Sequence, residues 1–142
     1  MPARISFADI EVGAQIPERK LNILRVQLLR FCGACCDFTA THWNERIAKA
    51  VGLPDVIAHG TFTIAQAVRV VSDWLGDPGA VIEYEAKFTR PVVVPDDDRG
   101  ATLLVSGIVE EKLPNKRILL RMTAIAQGET VMSGARVVAQ LA

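Results

Sequence analysis

The sequence predicts an α+β chain in which a curved antiparallel sheet wraps around one central helix. Two observations carry this. Between Thr61 and Leu75 only Gln66, Arg69, Ser72 and Asp73 stand out as polar among Phe62, Ile64, Ala65, Ala67, Val68, Val70, Val71 and Trp74, and so narrow a polar stripe belongs to a helix covered on most sides. After the Gly76-Asp77-Pro78-Gly79 turn, Ile82, Tyr84, Ala86 and Phe88 alternate with Glu83, Glu85, Lys87 and Thr89, the period of a strand with one buried face. Further strand-like runs at Thr102–Glu111, Arg117–Gln127 and Glu129–Leu141 complete a helix-first, sheet-second order.

In chain order, Ile5–Ile10 is short and mixed, and Gly13 and Pro17 bracket an irregular start. Glu18–Ile23 reads as a modest strand. Val26, Leu28, Leu29 and Cys32 then share a helix face, and this helix should fail around Gly33–Cys36. Thr39–Asn44 is polar and loop-like, while Glu45–Val51 reads as a two-turn helix with Asn44 as N-cap and Gly52 beyond its end. Pro54 and Asp55 turn the chain toward Val56-Ile57-Ala58-His59-Gly60. In the second half, Pro91, Pro95 and Asp96-Asp97-Asp98 form a solvated loop without metal-ligand spacing. Pro114-Asn115-Lys116 and Gly128-Glu129 serve as hairpin connections.

The chain has 142 residues, half of them apolar and 23% charged, which suits a single domain over 1–142 with an ordinary core and excludes a disordered tail as its main content. Sixteen basic and sixteen acidic residues cancel. Without a basic run there is no electrostatic footprint for nucleic acid or an anionic membrane surface, although a small anionic ligand stays open. No apolar run reaches the roughly 18 residues of a membrane span, and MPARISFADIEVG lacks the pattern of a secretory signal. Cys32, Cys35 and Cys36 crowd together rather than spreading as a disulfide framework, so a reducing cytoplasm is expected. Cys32-x-x-Cys35 matches a redox spacing formally but lacks the βαβ context, and buried small hydrophobes are the expected role.

Chemistry gathers between Phe31 and Trp74, which hold both histidines and all three cysteines. Asp37 and His42 lie five residues apart, so a short loop can bring a carboxylate and an imidazole to one side of a cleft. Burial can raise the carboxylate toward neutrality, and the two groups can then exchange protons with one water. Gly60, opening the apolar helix, offers an unpaired N–H at a positive helix end and lets a ligand come close. From spacing alone, Asp37 is equally readable as a turn or cap, His42 and His59 as structural histidines, and Gly60 as a backbone requirement.

Asp37-Phe38-Thr39-Ala40-Thr41-His42, the downstream Ala48 and Gly52-Leu53, and Ile57-Ala58-His59-Gly60 resemble the hydratase 2 motif of the MaoC-like (R)-specific enoyl-CoA hydratases. The resemblance continues through Trp74-Leu75-Gly76-Asp77-Pro78-Gly79-Ala80-Val81 and from Tyr84 to Phe88, where it is most similar to the B-subunit type of mycobacterial (3R)-hydroxyacyl-ACP dehydratases. It implies a hotdog fold, Asp37 and His42 as the catalytic pair, Gly60 as oxyanion donor, and Cys36, Thr39 and His59 as pocket candidates. It also implies reversible syn hydration of trans-2-enoyl thioesters carried on CoA or acyl carrier protein, without a metal or redox cofactor. The expected assembly is a homodimer or a heterodimer with a second hotdog subunit.

Thr39 and Ala40 stand where the family usually has Asn and Pro, and Cys35-Cys36 where it usually has Ser-Gly. These changes are expected to loosen the turn, remove an orienting amide bond and add bulk beside Asp37. Two other readings go with them: a specialised relative catalysing isomerisation or intramolecular addition on a polyketide-like substrate, and a non-catalytic acyl-binding or stabilising subunit of a heterodimeric dehydratase.

Overall fold

A computed structural model describes residues 5–142; residues 1–4, the start of the stretch read for a secretory signal, lie outside the described residues. After a 3₁₀ turn at Phe7–Asp9, strand β1 spans Gln15–Ile23. It starts earlier than the Glu18 expected, running through Pro17. A register shift between Ile16 and Arg19 on an edge strand is the setting in which a residue without an N–H is accommodated.

Helix α1, Arg25–Cys35, starts where the Gln27 side chain accepts a hydrogen bond from the Leu24 N–H at 2.6 Å. Its inner face is narrower than the spacing suggested: Leu28 and Cys32 are fully buried, whereas Val26 and Leu29 are exposed. It ends at Cys36, which adopts the left-handed conformation with φ +57°. Helix α2, Glu45–Ala50, is capped as expected by Asn44, whose side chain accepts from the Ile47 N–H at 3.1 Å. Gly52 follows with φ +89°, a turn that favours glycine.

Helix α3, Gly60–Leu75, buries Phe62, Thr63, Ala67, Val70, Val71 and Leu75. Four strands follow: β2 Val81–Phe88, β3 Ala101–Leu113, β4 Arg117–Ala126 and β5 Glu129–Gln140. With β1 they form one antiparallel sheet in the order β1-β3-β4-β5-β2. Register shifts occur in every strand pair, and such bulges bend a sheet, here into a cover for α3. Val71 and Leu75 share the core with Leu103, Ile118, Leu120 and Met122. The β3–β4 and β4–β5 hairpins turn on Asn115-Lys116 and Gln127-Gly128, all four with positive φ, the pairing that matches strand twist. The second turn therefore lies one residue earlier than Gly128-Glu129.

Two expectations of burial change. The strand over β2 is present, but Ile82, Tyr84 and Phe88 are 48%, 59% and 46% exposed. Its alternation marks an apolar face, and because β2 is the other edge of the sheet, that face is uncovered in the single chain. Likewise α3 is open along Thr61, Ala65, Arg69 and Asp73, with Ile64 and Val68 half-buried. The acidic loop is the solvated turn expected, with Asp97 accepting from the Arg99 and Gly100 N–H groups at 2.9 and 2.6 Å. Among the described residues no helix is long and apolar enough to cross a membrane.

Candidate active site

The site is assembled where the loop after α1 meets the segment before α3. Val56-Ile57-Ala58 is pinned from two sides: Ile57 N–H donates to the Thr41 carbonyl at 3.1 Å, Ala58 N–H to Val92 at 2.8 Å, and Val94 N–H to Val56 at 2.8 Å. Arg25, mostly buried, ties the same region together. Its guanidinium bridges to Asp55 at 2.5 Å and Glu45 at 3.4 Å, and donates to the Val94 carbonyl at 3.0 Å. The residues before α3 are thus held rigidly against the loop that carries Asp37 and His42.

Asp37 is fixed by Thr39. One carboxylate oxygen accepts from the Thr39 N–H at 3.1 Å and from its hydroxyl at 2.6 Å. These two bonds, assisted by the nearby histidines, hold the Asp37 carboxyl below its ordinary range. This reverses the expectation that burial would raise it, because the carboxylate is only half-buried and doubly hydrogen-bonded. The turn reading of Asp37 and its availability for chemistry coexist: Thr39 engages one oxygen and leaves the other. Thr39, standing where the family usually has Asn, thus supplies two hydrogen bonds to Asp37.

The loop also keeps its shape without proline. Ala40–His42 forms a 3₁₀ turn, His42 N–H donates to Thr39 at 3.1 Å, and Asn44 N–H to Ala40 at 2.8 Å. Trp43 closes the loop from outside, its indole N–H donating to the Phe38 carbonyl at 2.9 Å. These bonds define the turn in place of the missing proline.

His42 Nδ1 lies 2.8 Å from the Ile57 carbonyl. A carbonyl only accepts, so Nδ1 donates its proton there, and in the neutral ring Nε2 is left with the lone pair. One carboxylate oxygen of Asp37 and one ring nitrogen each of His42 and His59 lie within 4.8 Å of one another. Two groups at that separation can share one water, since it is less than two ordinary hydrogen bonds end to end. The trio has the elements of a metal ligand set. However, the two imidazoles are stacked, with centroids 3.7 Å apart and planes at 23°, so their in-plane lone pairs run side by side rather than converging on one ion.

His59 is 1% exposed, between His42 and the edge of Phe31 at 4.9 Å. Its Nε2 lies 3.3 Å from the Asp37 carbonyl and 3.5 Å from Cys32 Sγ. Burial lowers its titration range and raises that of the Cys32 thiol. Of the three free cysteines only Cys32 is buried; Cys35 and Cys36 are exposed. The expectation of buried hydrophobes fails for these two because α1 ends there and the left-handed turn at Cys36 carries the chain outward.

Gly60 is the first residue of α3, so its N–H has no intrahelical acceptor. Its backbone does not need positive φ. A Cβ there would instead lie 2.8 and 3.0 Å from the Phe88 ring carbons Cε2 and Cζ, so any larger residue would have to push aside an aromatic ring on β2. Phe88, Ile57 and Phe31 stand within the stretches read from the sequence, but their contacts with Gly60, His42 and His59 are visible only in the fold.

Residues 10–127 match the family model described as MaoC like domain. An (R)-specific enoyl-CoA hydratase of Rhodospirillum rubrum is 31% identical over 129 residues, 90% of this chain and 86% of the relative. A 3-hydroxyacyl-thioester dehydratase X of Mycobacterium tuberculosis is 32% identical over 79 residues, 56% of this chain but 27% of the relative. Among solved structures, a MaoC-like dehydratase superposes with TM-score 0.93 and 33% identity over 99% of this chain, which spans only 43% of that one. The R-hydratase PhaJ1 of Pseudomonas aeruginosa gives 0.83 and 27% over 99% of this chain and 89% of that one. The ChsH1–ChsH2 complex of Mycobacterium tuberculosis shares the fold at 0.82 and 21% over 93% of this chain and 98% of that one. The chain belongs to the MaoC-like domain family, as a hotdog-fold enzyme of its hydratase and dehydratase, or lyase, group.

Proposed function

We propose that the chain interconverts trans-2-enoyl and (3R)-3-hydroxyacyl thioesters, with Asp37 and His42 as the proton-transfer pair and the Gly60 N–H as oxyanion donor. The observation that carries this reading is a carboxylate and an imidazole brought within 4.8 Å of each other, both arranged to accept a proton. Asp37 is kept ionised by Thr39, and His42, its Nδ1–H spent on Ile57, keeps a bare Nε2. In the dehydration direction the pair takes the C2 proton and passes that same proton to the departing C3 hydroxyl. One water leaves, and the pair returns to its starting state. Negative charge that builds on the thioester oxygen meets the free N–H at the head of α3. This chemistry asks for no metal or redox cofactor.

The acyl group arrives on the pantetheine arm of CoA or acyl carrier protein, and the free thiols suit a reducing cytoplasm. The active unit is a dimer, with a second copy or a second hotdog subunit covering β2 and the open face of α3. An edge strand bearing exposed Ile82, Tyr84 and Phe88 is a surface that pairing protects. Phe88 also touches Gly60, so the covered face continues into the site. Hydration of trans-2-butenoyl-CoA, followed as loss of enoyl-thioester absorbance with chiral analysis of the product, tests the reaction. The 3R alcohol is expected; a 3S product or unchanged thioester would contradict the proposal.

A further inference from the structure

We propose that His59 is a positioning residue for the Asp37–His42 pair, a single buried imidazole that holds Asp37 by its main chain and His42 by its ring face. The inference rests on the hydratase reading above and adds a third side chain to it. His59 occupies the N-cap position of α3, where a side chain ordinarily satisfies the first N–H groups, yet it makes no capping bond. The ring turns the other way, beneath the loop. One face lies on His42 at 3.7 Å between centroids, and Nε2 approaches the Asp37 carbonyl at 3.3 Å.

The hydrogen-bond inventory supports this role. A neutral imidazole has one proton, and in the tautomer that carries it on Nε2 His59 donates to the Asp37 carbonyl, with Cys32 Sγ beside the same nitrogen at 3.5 Å. Nδ1 is then a buried lone pair, and among the described residues it has no partner. An unpaired buried acceptor disfavours the folded state, and an apolar ring would fill the same space without that penalty. What an apolar ring cannot do is fasten the Asp37 backbone just after the left-handed turn at Cys36. Burial also keeps His59 uncharged, so it does not oppose a proton arriving on the stacked His42.

The test uses the purified full chain with trans-2-butenoyl-CoA and two variants. His59→Phe keeps an aromatic face under His42 and gives up the bond to Asp37; His59→Gln keeps an amide donor and gives up the ring. Each is expected to lower kcat about tenfold or more with KM within about twofold. His59→Phe should melt no lower than the natural protein. Amide exchange at Thr39, whose N–H is bonded to the Asp37 carboxylate, should quicken at least about tenfold in His59→Phe, a readout that needs no turnover. A folded His59→Phe with kcat within about twofold, a change confined to KM, or unaltered Thr39 exchange would overturn the proposal. If His59→Phe does not fold, the same kcat and KM criteria applied to His59→Gln decide it. If the natural protein leaves the thioester untouched, the hydratase reading falls, and the exchange measurement alone still decides whether His59 fastens Asp37.

Discussion

At the residue scale, the site turns on which atoms are already occupied. Thr39 takes one oxygen of Asp37, and Ile57 takes the Nδ1 proton of His42. Each catalytic candidate is thereby left with one free atom in a defined state. Because the folded Asp37 titrates below its ordinary value, its ionised form contributes stability that is present above the ordinary aspartate range and lost as pH falls through the lowered value. Thr39→Val removes the hydroxyl donor, so Asp37 should titrate closer to its ordinary value and that acid-side contribution should shrink. A carboxyl carbon NMR titration measures the shift, and the acid limb of the pH–rate profile should move upward with it. An unmoved titration would mean that the threonine hydroxyl does not set the state of Asp37. The spacing of Asp37 and His42 was legible in the sequence. The bond from the Thr39 hydroxyl to Asp37 was not, because it depends on a side-chain rotamer.

At the element scale, glycines separate backbone limits from side-chain limits. A Cβ on Gly100 would run into the Ile23 carbonyl, and its φ is +63°; neither obstacle can move without displacing β1. Gly100→Ala should cost roughly 2 kcal/mol or more, read as a lowered denaturation midpoint. Gly60→Ala faces only the outer carbons of the Phe88 ring, which is 46% exposed and free to swing. That variant should melt within about 3 °C of the natural protein, since the cost of moving the ring is offset by alanine's better helix propensity. Its turnover should still fall about tenfold, because the methyl and the displaced ring crowd the N–H at the head of α3. Gly60→Ala with full turnover would remove that N–H from the mechanism. Periodicity located α3, β2 and the last three strands because long amphipathic patterns survive in a single sequence. It misplaced burial on α1, where Val26 and Leu29 share the pattern but not the contact, and on β2, because a strand's own alternation does not say whether it lies in the middle of a sheet or at its edge.

For the whole molecule, the fold leaves unfinished what the sequence describes as buried. The β2 edge and the α3 face carry apolar side chains with no cover in one chain, and the proposed dimer supplies it. Light scattering should give twice the monomer mass, and Ile82→Lys with Tyr84→Glu should shift it toward the monomer and lower turnover together. A monomeric natural protein with full activity would contradict the dimer. The measurement that bears most directly on the site is turnover of trans-2-enoyl-CoA of short and long chain by the natural protein, Asp37→Asn and His42→Ala, with folding verified for each. Hydration by the natural protein, cut at least about 100-fold in both variants, is the expected result. Near-normal rates in either folded variant would take that residue out of the chemistry and contradict the assignment of the pair.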